Sequence, residues 1–371
     1  MNIGFDINEA NISQRVGVNQ VAYNVFCHMA KNISDGDKLI ALSKERPLPD
    51  MPAGNEKLNY EIFGGKRAWV LTSLTKRLWA GKPKIDVLFS PSHYAPLFAP
   101  LKQVIYLMDM SFELFGTEYF TSYDINQLKR WTPLSVKKAK KVITISNFSK
   151  NEIIRLYKTN PDKIEVVYPA FDKTIYHSKV PKTKILSVKK KYGINGSYLL
   201  YWGTLQPRKN IVRLIEAFAK VQAPRLKLVI CGKKGWLYDQ ILDTAKKLGI
   251  SDRVIFTGFT PNEDLPGLIK GSRAFVLPSL YEGFGLPPVE AQAVGTPVVV
   301  SRVSSLPEVV GESGIYIDDP TSIEDIQKGI EKALSLSKTE RALVIKAGKE
   351  NSKRFDWDLS AKRIIEILKS I

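Results

Sequence analysis

Residues 278–290 read PSLYEGFGLPPVE and follow an apolar run at residues 274–277. The run predicts a short buried strand, and Pro287 and Pro288 stand where a helix would begin, because proline is favoured in the first helical turn. Between strand and helix, Gly283 and Gly285 let backbone N–H groups turn toward a ligand. The stretch therefore predicts a strand, a loop and a helix N-terminus, an arrangement that suits an anion such as a diphosphate.

Two carboxylates, Glu282 and Glu290, frame this loop with seven residues between them. Carboxylates accept hydrogen bonds from hydroxyl groups, which sugars and riboses carry. Both residues are therefore candidates to bind a sugar nucleotide, one from the loop and one from the first turns of the helix. The alternative is that Glu290 only favours the helix start and that Glu282 is solvated.

A second motif lies earlier in the chain, where residues 203–210 read GTLQPRKN after an apolar segment that predicts a buried strand. Gly203 permits a turn, and Arg208 and Lys209 place two cations near the start of the next predicted helix. Arginine offers a planar fork to phosphate oxygens, and lysine offers a compact charge. A diphosphate between this turn and the glycine loop would be held from both sides. The alternative is an exposed basic turn.

These motifs, continued through residues 295–299 and 304–308, resemble the Glu-x7-Glu signature and the Gly-x4-Arg-Lys-Asn clamp of retaining glycosyltransferases of family 4. The resemblance extends over nearly the whole chain and is weakest toward the N-terminal end. It implies an α/β protein of two Rossmann-like domains facing a cleft, which is the GT-B fold. The implied domains are an acceptor-side domain at 1–180, a donor-binding domain at 181–355, and a C-terminal helix at 356–371 that returns to the first domain.

The resemblance also implies an activity, the transfer of a sugar from a nucleotide diphosphate donor to an acceptor hydroxyl with retention of the anomeric configuration. The motifs look most similar to those of bacterial GDP-mannose-dependent mannosyltransferases. We therefore expect mannose to pass from GDP-mannose to a glycan or a lipid-linked acceptor, with UDP-linked sugars as the alternative donors. No metal or other cofactor is expected, because two cations and a helix dipole can neutralise the leaving diphosphate.

The resembled family also implies a role for each matching residue. Arg208 and Lys209 would neutralise charge on the leaving diphosphate, while Glu282 would hold sugar hydroxyls and Glu290 the ribose. The other donor-binding candidates come from the turns and the glycine loop and are Gly203, Gly258, Phe259, Gly283, Phe284, Gly285 and Leu286. Gly258 and Phe259 are assigned to the base pocket. Their alternative role is purely structural, a turn at the glycine and packing at the phenylalanine.

The first domain supplies three further candidates. Gly17 lies in the loop after the first predicted strand, His93 follows the strand predicted at 86–90, and Asp109 is a catalytic candidate after the strand at 104–107. The resembled family has His directly before that Asp, whereas this chain has Met108, whose thioether cannot donate a hydrogen bond. A protein that binds a nucleotide sugar without turnover is therefore an alternative function.

The chain of 371 residues carries a formal net charge of +18, which favours a polyanionic neighbour. Nucleic acid is not expected as a partner, because no recognised nucleic-acid-binding module is present, and a polyanion-binding protein stays an alternative. Residues 65–85 and 128–141 are strongly basic. The first of these segments predicts an amphipathic helix that suits an anionic membrane surface, with packing on the core as the alternative.

Cys27 and Cys231 form no metal or redox motif, which suits a reducing compartment. The N-terminal residues lack a basic region followed by an apolar one, and no apolar run approaches the length of a membrane span. We therefore expect a cytoplasmic protein that is peripheral at the inner face of the membrane. On a finer scale, Ser149 and Glu152 predict a capping box at a helix start.

Overall fold

The structure is a computed structural model that describes residues 1–15, 17–65, 68–108, 110–115, 122–233, 235 and 238–371. These residues group into two units, the first made of Met1–Ala170 and Phe355–Ile371 and the second of Phe171–Arg354. Each unit is built on a parallel sheet, whose strands form where the chain has short apolar runs. The catalytic candidate Asp109 lies outside the described residues.

Seven parallel strands form the sheet of the first unit within its described residues. They are β1 (Asn2–Asp6), β2 (Lys38–Ser43), β3 (Leu58–Ile62), β4 (Val87–Ser90), β5 (Lys102–Leu107), β6 (Lys141–Thr144) and β7 (Ile164–Val166). Their order across the sheet is β3-β2-β1-β4-β5-β6-β7. The helices are α1 (Val18–Asn32), α2 (Thr75–Ala80), α3 (Ser111–Leu114), α4 (Ser122–Lys138) and α5 (Asn147–Tyr157), with a π-helical turn at Val70–Leu74 and a 3-10 turn at Pro161–Lys163.

In its described residues, the second unit has a parallel sheet of six strands. They are β8 (Tyr198–Trp202), β9 (Lys227–Cys231), β10 (Val254–Gly258), β11 (Phe275–Leu277), β12 (Val298–Ser301) and β13 (Gly314–Ile317), in the order β10-β9-β8-β11-β12-β13. The helices are α6 (Lys182–Lys191), α7 (Ile211–Lys220), α8 (Tyr238–Lys247), α9 (Leu265–Gly271), α10 (Leu286–Val294), α11 (Leu306–Val310), α12 (Ile323–Ser335) and α13 (Lys338–Ser352). Two 3-10 turns lie at Pro207–Lys209 and Gly311–Ser313.

Both sheets reverse their strand order at one point, between β1 and β4 in the first unit and between β8 and β11 in the second. Ligands of open parallel sheets bind outside the carboxyl ends of the strands at such a switch point. The two sequence motifs leave β8 and β11, so the fold of the second unit brings them to one place. The predicted α/β class with two Rossmann-like units is confirmed.

The last helix, α14 (Trp357–Lys369), belongs to the first unit and packs against α1. Its Asp358 accepts hydrogen bonds from Lys31 (2.9 Å) and Asn32 (2.7 Å) of α1. The change from the first unit to the second follows Ala170, rather than residue 180 as the sequence indicates. The physical reason is that Phe171 and Tyr176 are buried and in ring contact inside the second unit.

The basic segment at 65–85 is not the single amphipathic helix that its pattern predicts. A π-helical turn leads into the short α2, which Gly81 ends in the left-handed conformation at φ 68°. Leu74 and Leu78 are buried in a cluster with Leu42 and other apolar side chains, as the packing alternative proposed. The segment therefore anchors to the core through one face.

The capping prediction at Ser149 is displaced by one turn. The N-cap of α5 is Ser146, whose hydroxyl accepts the backbone N–H of Ser149 at 3.0 Å. Ser149 is itself the third helical residue and is buried, so its hydroxyl cannot serve as the cap. Only Ser149 is followed three residues later by Glu, as a capping box requires, whereas Ser146 caps the helix through its hydroxyl alone.

Candidate functional site

The two motifs contact each other directly at the switch point of the second unit. The backbone N–H of Leu280 donates to the carbonyl of Arg208 at 2.8 Å. The side-chain amide of Asn210 donates to the carbonyls of Pro278 (3.0 Å) and Pro320 (2.6 Å). Asn210 has a left-handed backbone (φ 61°), which asparagine tolerates better than most residues. These bonds hold the basic turn against the glycine loop.

A buried ion pair stands at the centre of this contact. The Nζ atom of Lys209 donates to Oε1 of Glu282 at 2.5 Å, and both side chains are buried. Nη1 of Arg208 donates to Oε2 of Glu282 (3.3 Å) and to the carbonyl of Tyr281 (3.0 Å). The hydroxyl of Ser279 donates to Oε1 of Glu282 at 2.7 Å. The carboxylate therefore has a cationic partner on each of its two oxygens.

These partners decide the charge of Glu282. Burial alone would raise the pKa of its carboxyl group, because it penalises the charged form. The positive charges of Lys209 and Arg208, with the hydrogen bonds from Lys209 and Ser279, outweigh burial and hold the pKa below its ordinary value. Glu282 is therefore a carboxylate at neutral pH and can only accept hydrogen bonds from a ligand.

Two serines after β12 fix the shape of the glycine loop. The hydroxyl of Ser304 accepts the backbone N–H of Glu282 at 2.9 Å. The hydroxyl of Ser305 lies within 2.8 Å of the carbonyls of Glu282 and Phe284. Ser304 has a left-handed backbone at φ 51°, a conformation uncommon for serine. The sequence did not predict a role for these two serines, although they lie in the matched pattern at residues 304–308.

The start of α10 offers fewer N–H groups than an ordinary helix. The first four N–H groups of a helix have no partner within the helix, and two of these positions are Pro287 and Pro288, which carry no N–H. Of the first three residues of α10, only Leu286 thus keeps a backbone N–H. Gly285 precedes it at φ 100°, and a Cβ there would lie 2.8 Å from Leu306. An anion at this place would depend more on Arg208 and Lys209 than on the helix end.

Glu290 lies farther along α10 in a different environment. It is buried, and its Oε2 atom has no hydrogen-bond partner among the described residues. Burial raises the pKa of its carboxyl group to about 8, so the group is mostly protonated at neutral pH. A buried polar atom normally has a partner, so Oε2 of Glu290 is open to a further hydrogen bond. This agrees with the sequence-based assignment to ribose and leaves that assignment a prediction.

The predicted base-pocket residues follow β10. Gly258 has a left-handed backbone (φ 69°), and its carbonyl accepts the N–H of Gly232 at 2.9 Å. Phe259 is 66% exposed, so it does not pack in the core and the packing alternative is wrong. Gly232 is a residue that the sequence analysis missed. A Cβ there would lie 1.9 Å from the carbonyl oxygen of Gly203, so only glycine fits.

The candidates of the first unit lie at the ends of its central strands. Gly17 comes after β1, immediately before α1, with φ 54°. His93 follows β4, and its ring meets Phe112 edge to face at 5.4 Å. Met108 is buried directly after β5, so its thioether packs in the core of the first unit. Asp109 lies outside the part of the chain that the structure describes.

Among the described residues, no group of three or more His, Cys, Asp and Glu side chains is placed to hold a metal ion. No helix in the described ranges has the length and apolar character needed to cross a bilayer.

Comparison with known proteins decides the family. Residues 186–350 match the family described as glycosyl transferases group 1. The chain is 34% identical over 256 residues to O-antigen chain mannosyltransferase B of Escherichia coli, which is 68% of this chain and 66% of the relative. The chain belongs to the group 1 glycosyltransferases. The family predicted from the motifs is thereby confirmed.

Other relatives of this glycosyltransferase share the same region. An uncharacterized glycosyltransferase of Methanocaldococcus jannaschii is 31% identical over 64% of this chain and 61% of the relative. Serotype-specific mannosyltransferase WbdA of Escherichia coli is 32% identical over 68% of this chain and 31% of the relative. The matched regions thus span about two thirds or less of each relative's own length.

Solved structures show the same fold at low identity. HepE of Anabaena, in complex with UDP and glucose, has a TM-score of 0.77 at 20% identity and covers 100% of both chains. WaaG, a glycosyltransferase involved in lipopolysaccharide biosynthesis, has a TM-score of 0.74 at 16% identity and covers 99% of both chains. At such identities the likeness concerns the fold, and it confirms the predicted GT-B class.

The buried ion pair generates a first prediction. Lys209→Met leaves the buried Glu282 carboxylate with a weaker cationic partner, which should lower the free energy of unfolding by about 3–5 kcal/mol. Adding Glu282→Gln to the same chain removes the uncompensated charge and should recover part of that loss. Urea denaturation of the single and double variants measures both effects. A double variant less stable than Lys209→Met would contradict the pairing.

Glu290 generates a second prediction, about pH. Its pKa rises from 4.5 to about 8 on folding, so the folded chain holds a proton that the unfolded chain has released. The stability from this group is fully present below about pH 4.5 and is lost as the pH rises through about 8. The melting temperature of wild type should therefore fall relative to that of Glu290→Gln as the pH rises through this range. A difference that does not change with pH would show that Glu290 ionises normally.

Proposed function

We propose that this chain transfers a sugar from a nucleotide diphosphate donor to an acceptor hydroxyl. The observation that carries the proposal is the constellation of Arg208, Lys209 and Glu282 beside the glycine loop, at the carboxyl ends of β8 and β11. Two cations and backbone N–H groups at this place suit the diphosphate of the donor. Membership of the group 1 glycosyltransferases supports the same activity.

The cations act on the leaving group. Negative charge develops on the diphosphate as the bond to the sugar breaks, and fixed positive charges stabilise that state more than the ground state. Arg208 and Lys209 are already fixed by Glu282 and by the carbonyl of Tyr281, so little reorganisation is needed when the donor binds. No metal is required in this proposal, because these two side chains supply the positive charge.

Glu282 holds sugar hydroxyls rather than forming a covalent bond. Its Oε1 atom already accepts hydrogen bonds from Lys209 and Ser279, which lowers its nucleophilic character. The bond from the anomeric carbon to the diphosphate oxygen breaks, and the acceptor oxygen bonds to that carbon from the same face. The proton of the acceptor hydroxyl passes to an oxygen of the departing phosphate, and the anomeric configuration is retained. This course rests on the resemblance to the retaining family and on the charge state of Glu282.

The donor is GDP-mannose, and the acceptor is a glycan or a lipid-linked glycan. The support is the naming of two relatives, an O-antigen chain mannosyltransferase and a serotype-specific mannosyltransferase. A UDP-linked sugar is the alternative, since the fold relative HepE was solved with UDP and glucose. A protein that binds the donor without turnover is the second candidate, and the buried Met108 is the observation that favours it.

The protein works in the cytoplasm, peripheral at the inner face of the membrane. In the first unit, Trp79 is 64% exposed and Phe98 is 69% exposed, and the indole N–H of Trp79 donates to the carbonyl of Phe98 at 2.8 Å. Exposed lysines stand close to them in the chain and make no ion pair with a described residue; they are Lys76, Lys82 and Lys102. Aromatic side chains among lysines suit an anionic lipid surface.

Nucleotide binding tests the donor proposal. A thermal-shift panel of GDP, UDP, ADP, GDP-mannose and UDP-glucose should show a shift with GDP and GDP-mannose. A ligand at a hundred times its dissociation constant stabilises by about 2.7 kcal/mol. The shift should vanish in Arg208→Ala with Lys209→Ala and persist in Lys338→Ala with Lys346→Ala, two exposed lysines of α13.

Transfer of mannose measured on the same samples separates an enzyme from a binding protein. Binding of GDP-mannose without hydrolysis or transfer would support the second candidate. If a chelator abolishes the transfer activity, the proposal that the reaction needs no metal is contradicted. A shift only with UDP would replace GDP-mannose by a UDP-linked donor.

Vesicle flotation tests the membrane proposal. The wild-type protein should float with vesicles that contain phosphatidylglycerol and stay behind with vesicles of phosphatidylcholine alone. Trp79→Ala with Phe98→Ala should lose flotation, because the apolar contact is gone. The matched control is Leu359→Ala, which removes a side chain of the same unit that is 62% exposed. Equal flotation of all variants, or none with either lipid, would contradict the proposal.

A further inference from the structure

Two polar side chains stand together at the switch point of the first unit. Phe5 of β1 is in register with Phe89 of β4, and their rings lie 5.1 Å apart. The next residues, Asp6 and Ser90, are the last of their strands. Successive side chains of a strand point to opposite faces, so Asp6 and Ser90 share the face opposite to the two rings. They therefore neighbour each other at the carboxyl edge of the sheet.

Asp6 is a buried carboxyl group with one oxygen in use. Its side chain is 4% exposed, and it forms no ion pair with a described residue. Its Oδ1 atom accepts hydrogen bonds from the backbone N–H (3.2 Å) and the side-chain amide (2.6 Å) of Asn8. Its Oδ2 atom accepts none from the described residues. Burial raises the pKa of this carboxyl group to about 6, although the hydrogen bonds from Asn8 lower it. Burial therefore disfavours the charged form by more than the bonds from Asn8 favour it.

Ser90 is the second unsatisfied group. It is 1% exposed, and its hydroxyl oxygen has no hydrogen-bond partner in the described part of the chain. Buried hydroxyl groups almost always have a partner, and one without it destabilises the folded chain. At neighbouring strand ends, Oδ2 of Asp6 and the hydroxyl of Ser90 thus make no hydrogen bond with a described residue.

The described contacts of the loop after β1 use Oδ1 of Asp6, through Asn8, but neither Oδ2 of Asp6 nor the hydroxyl of Ser90. Asn19 donates to Glu9 at 2.6 Å, and Nε of Arg15 donates to the carbonyl of Ala10 at 2.6 Å. The guanidinium group of Arg15 also pairs with Asp50. Since these contacts fix the loop, the free oxygen of Asp6 and the hydroxyl of Ser90 are not required to maintain it.

We propose that Asp6 and Ser90 bind hydroxyl groups of the acceptor sugar, and this rests on the glycosyl transfer proposed above. A carboxylate oxygen accepts from a sugar hydroxyl, and a serine hydroxyl both donates and accepts, so neighbouring groups of these two kinds match a pair of adjacent sugar hydroxyls. The site lies at the switch point of its sheet, where ligands of open parallel sheets bind. Donor binding by Arg208, Lys209 and the glycine loop does not involve these residues.

Asp6→Asn and Ser90→Ala test the proposal. The asparagine keeps the shape of the side chain and still accepts the bonds from Asn8, and the alanine removes only the hydroxyl. Matched controls are Asp86→Asn, where the carboxylate accepts the N–H of Asn2 at 2.8 Å, and Ser43→Ala, where a buried hydroxyl donates to the carbonyl of Glu45 at 2.6 Å. Transfer from GDP-mannose to methyl α-D-mannopyranoside is measured together with donor hydrolysis in the absence of the mannoside.

Each test variant should raise the acceptor KM about tenfold or more, as expected for a lost hydrogen bond to a charged or buried group. The donor KM and the rate of donor hydrolysis should stay unchanged, and the controls should behave as wild type. Variants that lower the melting temperature or kcat without raising the acceptor KM would overturn the proposal, because they would show a purely structural role.

Two other outcomes separate this proposal from the proposed function. If wild type hydrolyses the donor but neither binds the mannoside nor transfers mannose to it, the acceptor site proposed for this sugar is overturned. The proposed donor chemistry still stands in that case. If no donor is used, the proposed function fails. Saturation-transfer NMR with methyl α-D-mannopyranoside then decides the site alone: binding lost in Asp6→Asn supports it, and binding that is absent or unaffected by the variants overturns it.

Discussion

The candidate site of the second unit depends on the contact between Lys209 and Glu282, two buried charges on loops that leave neighbouring strands. Burying each charge costs several kcal/mol, and their attraction offsets this only when further hydrogen bonds satisfy the remaining atoms. Arg208 and Ser279 provide those bonds on the Glu282 side. The pair is thus a weak source of stability. Its effect is to hold positive charge in one position at the switch point of the sheet.

A fixed charge is useful where a diphosphate leaves, because no reorganisation is needed as negative charge develops. The residues that surround the ion pair also keep the loops in fixed positions. Ser304 and Ser305 bind the backbone of the glycine loop, and Asn210 ties the basic turn to the end of β11. Among the described residues, Oε2 of Glu290 in one unit and the hydroxyl of Ser90 in the other are buried without a hydrogen-bond partner. Buried polar atoms normally have partners, which is why both residues enter the proposals about ligands.

The sequence predicts the units of this fold well where local patterns are strong. Short apolar runs mark the central strands, and glycine and proline spacing marks the loop before α10. The edge strand β3 was missed because its pattern, with only Leu58 buried, does not stand out from a loop. The segment at 65–85 was predicted as one helix because its apolar spacing is regular, but Gly81 and the contacts of Leu74 and Leu78 shorten it. Tertiary packing decided these cases.

For the candidate site, too, the sequence predicts some features and not others. The motifs indicate which residues take part, but Lys209 and Glu282 were each assigned to a ligand, and their contact with each other depends on two loops folding together. The ionised Glu282 and the protonated Glu290 differ only in their surroundings, which no spacing reveals. Asp6 and Ser90 carry no motif, and they are neighbours only because they follow Phe5 and Phe89, which the register of β1 and β4 pairs.

The most direct test of the central claim compares GDP with GMP by calorimetry, on wild type and on Lys209→Met. If Lys209 binds the terminal phosphate, GDP should bind wild type at least about tenfold more tightly than GMP, as a charge-assisted hydrogen bond provides. The preference should largely disappear in the variant, while the affinity for GMP stays similar. An equal preference for GDP in both proteins would contradict the claim that this buried pair presents the charge that binds the diphosphate.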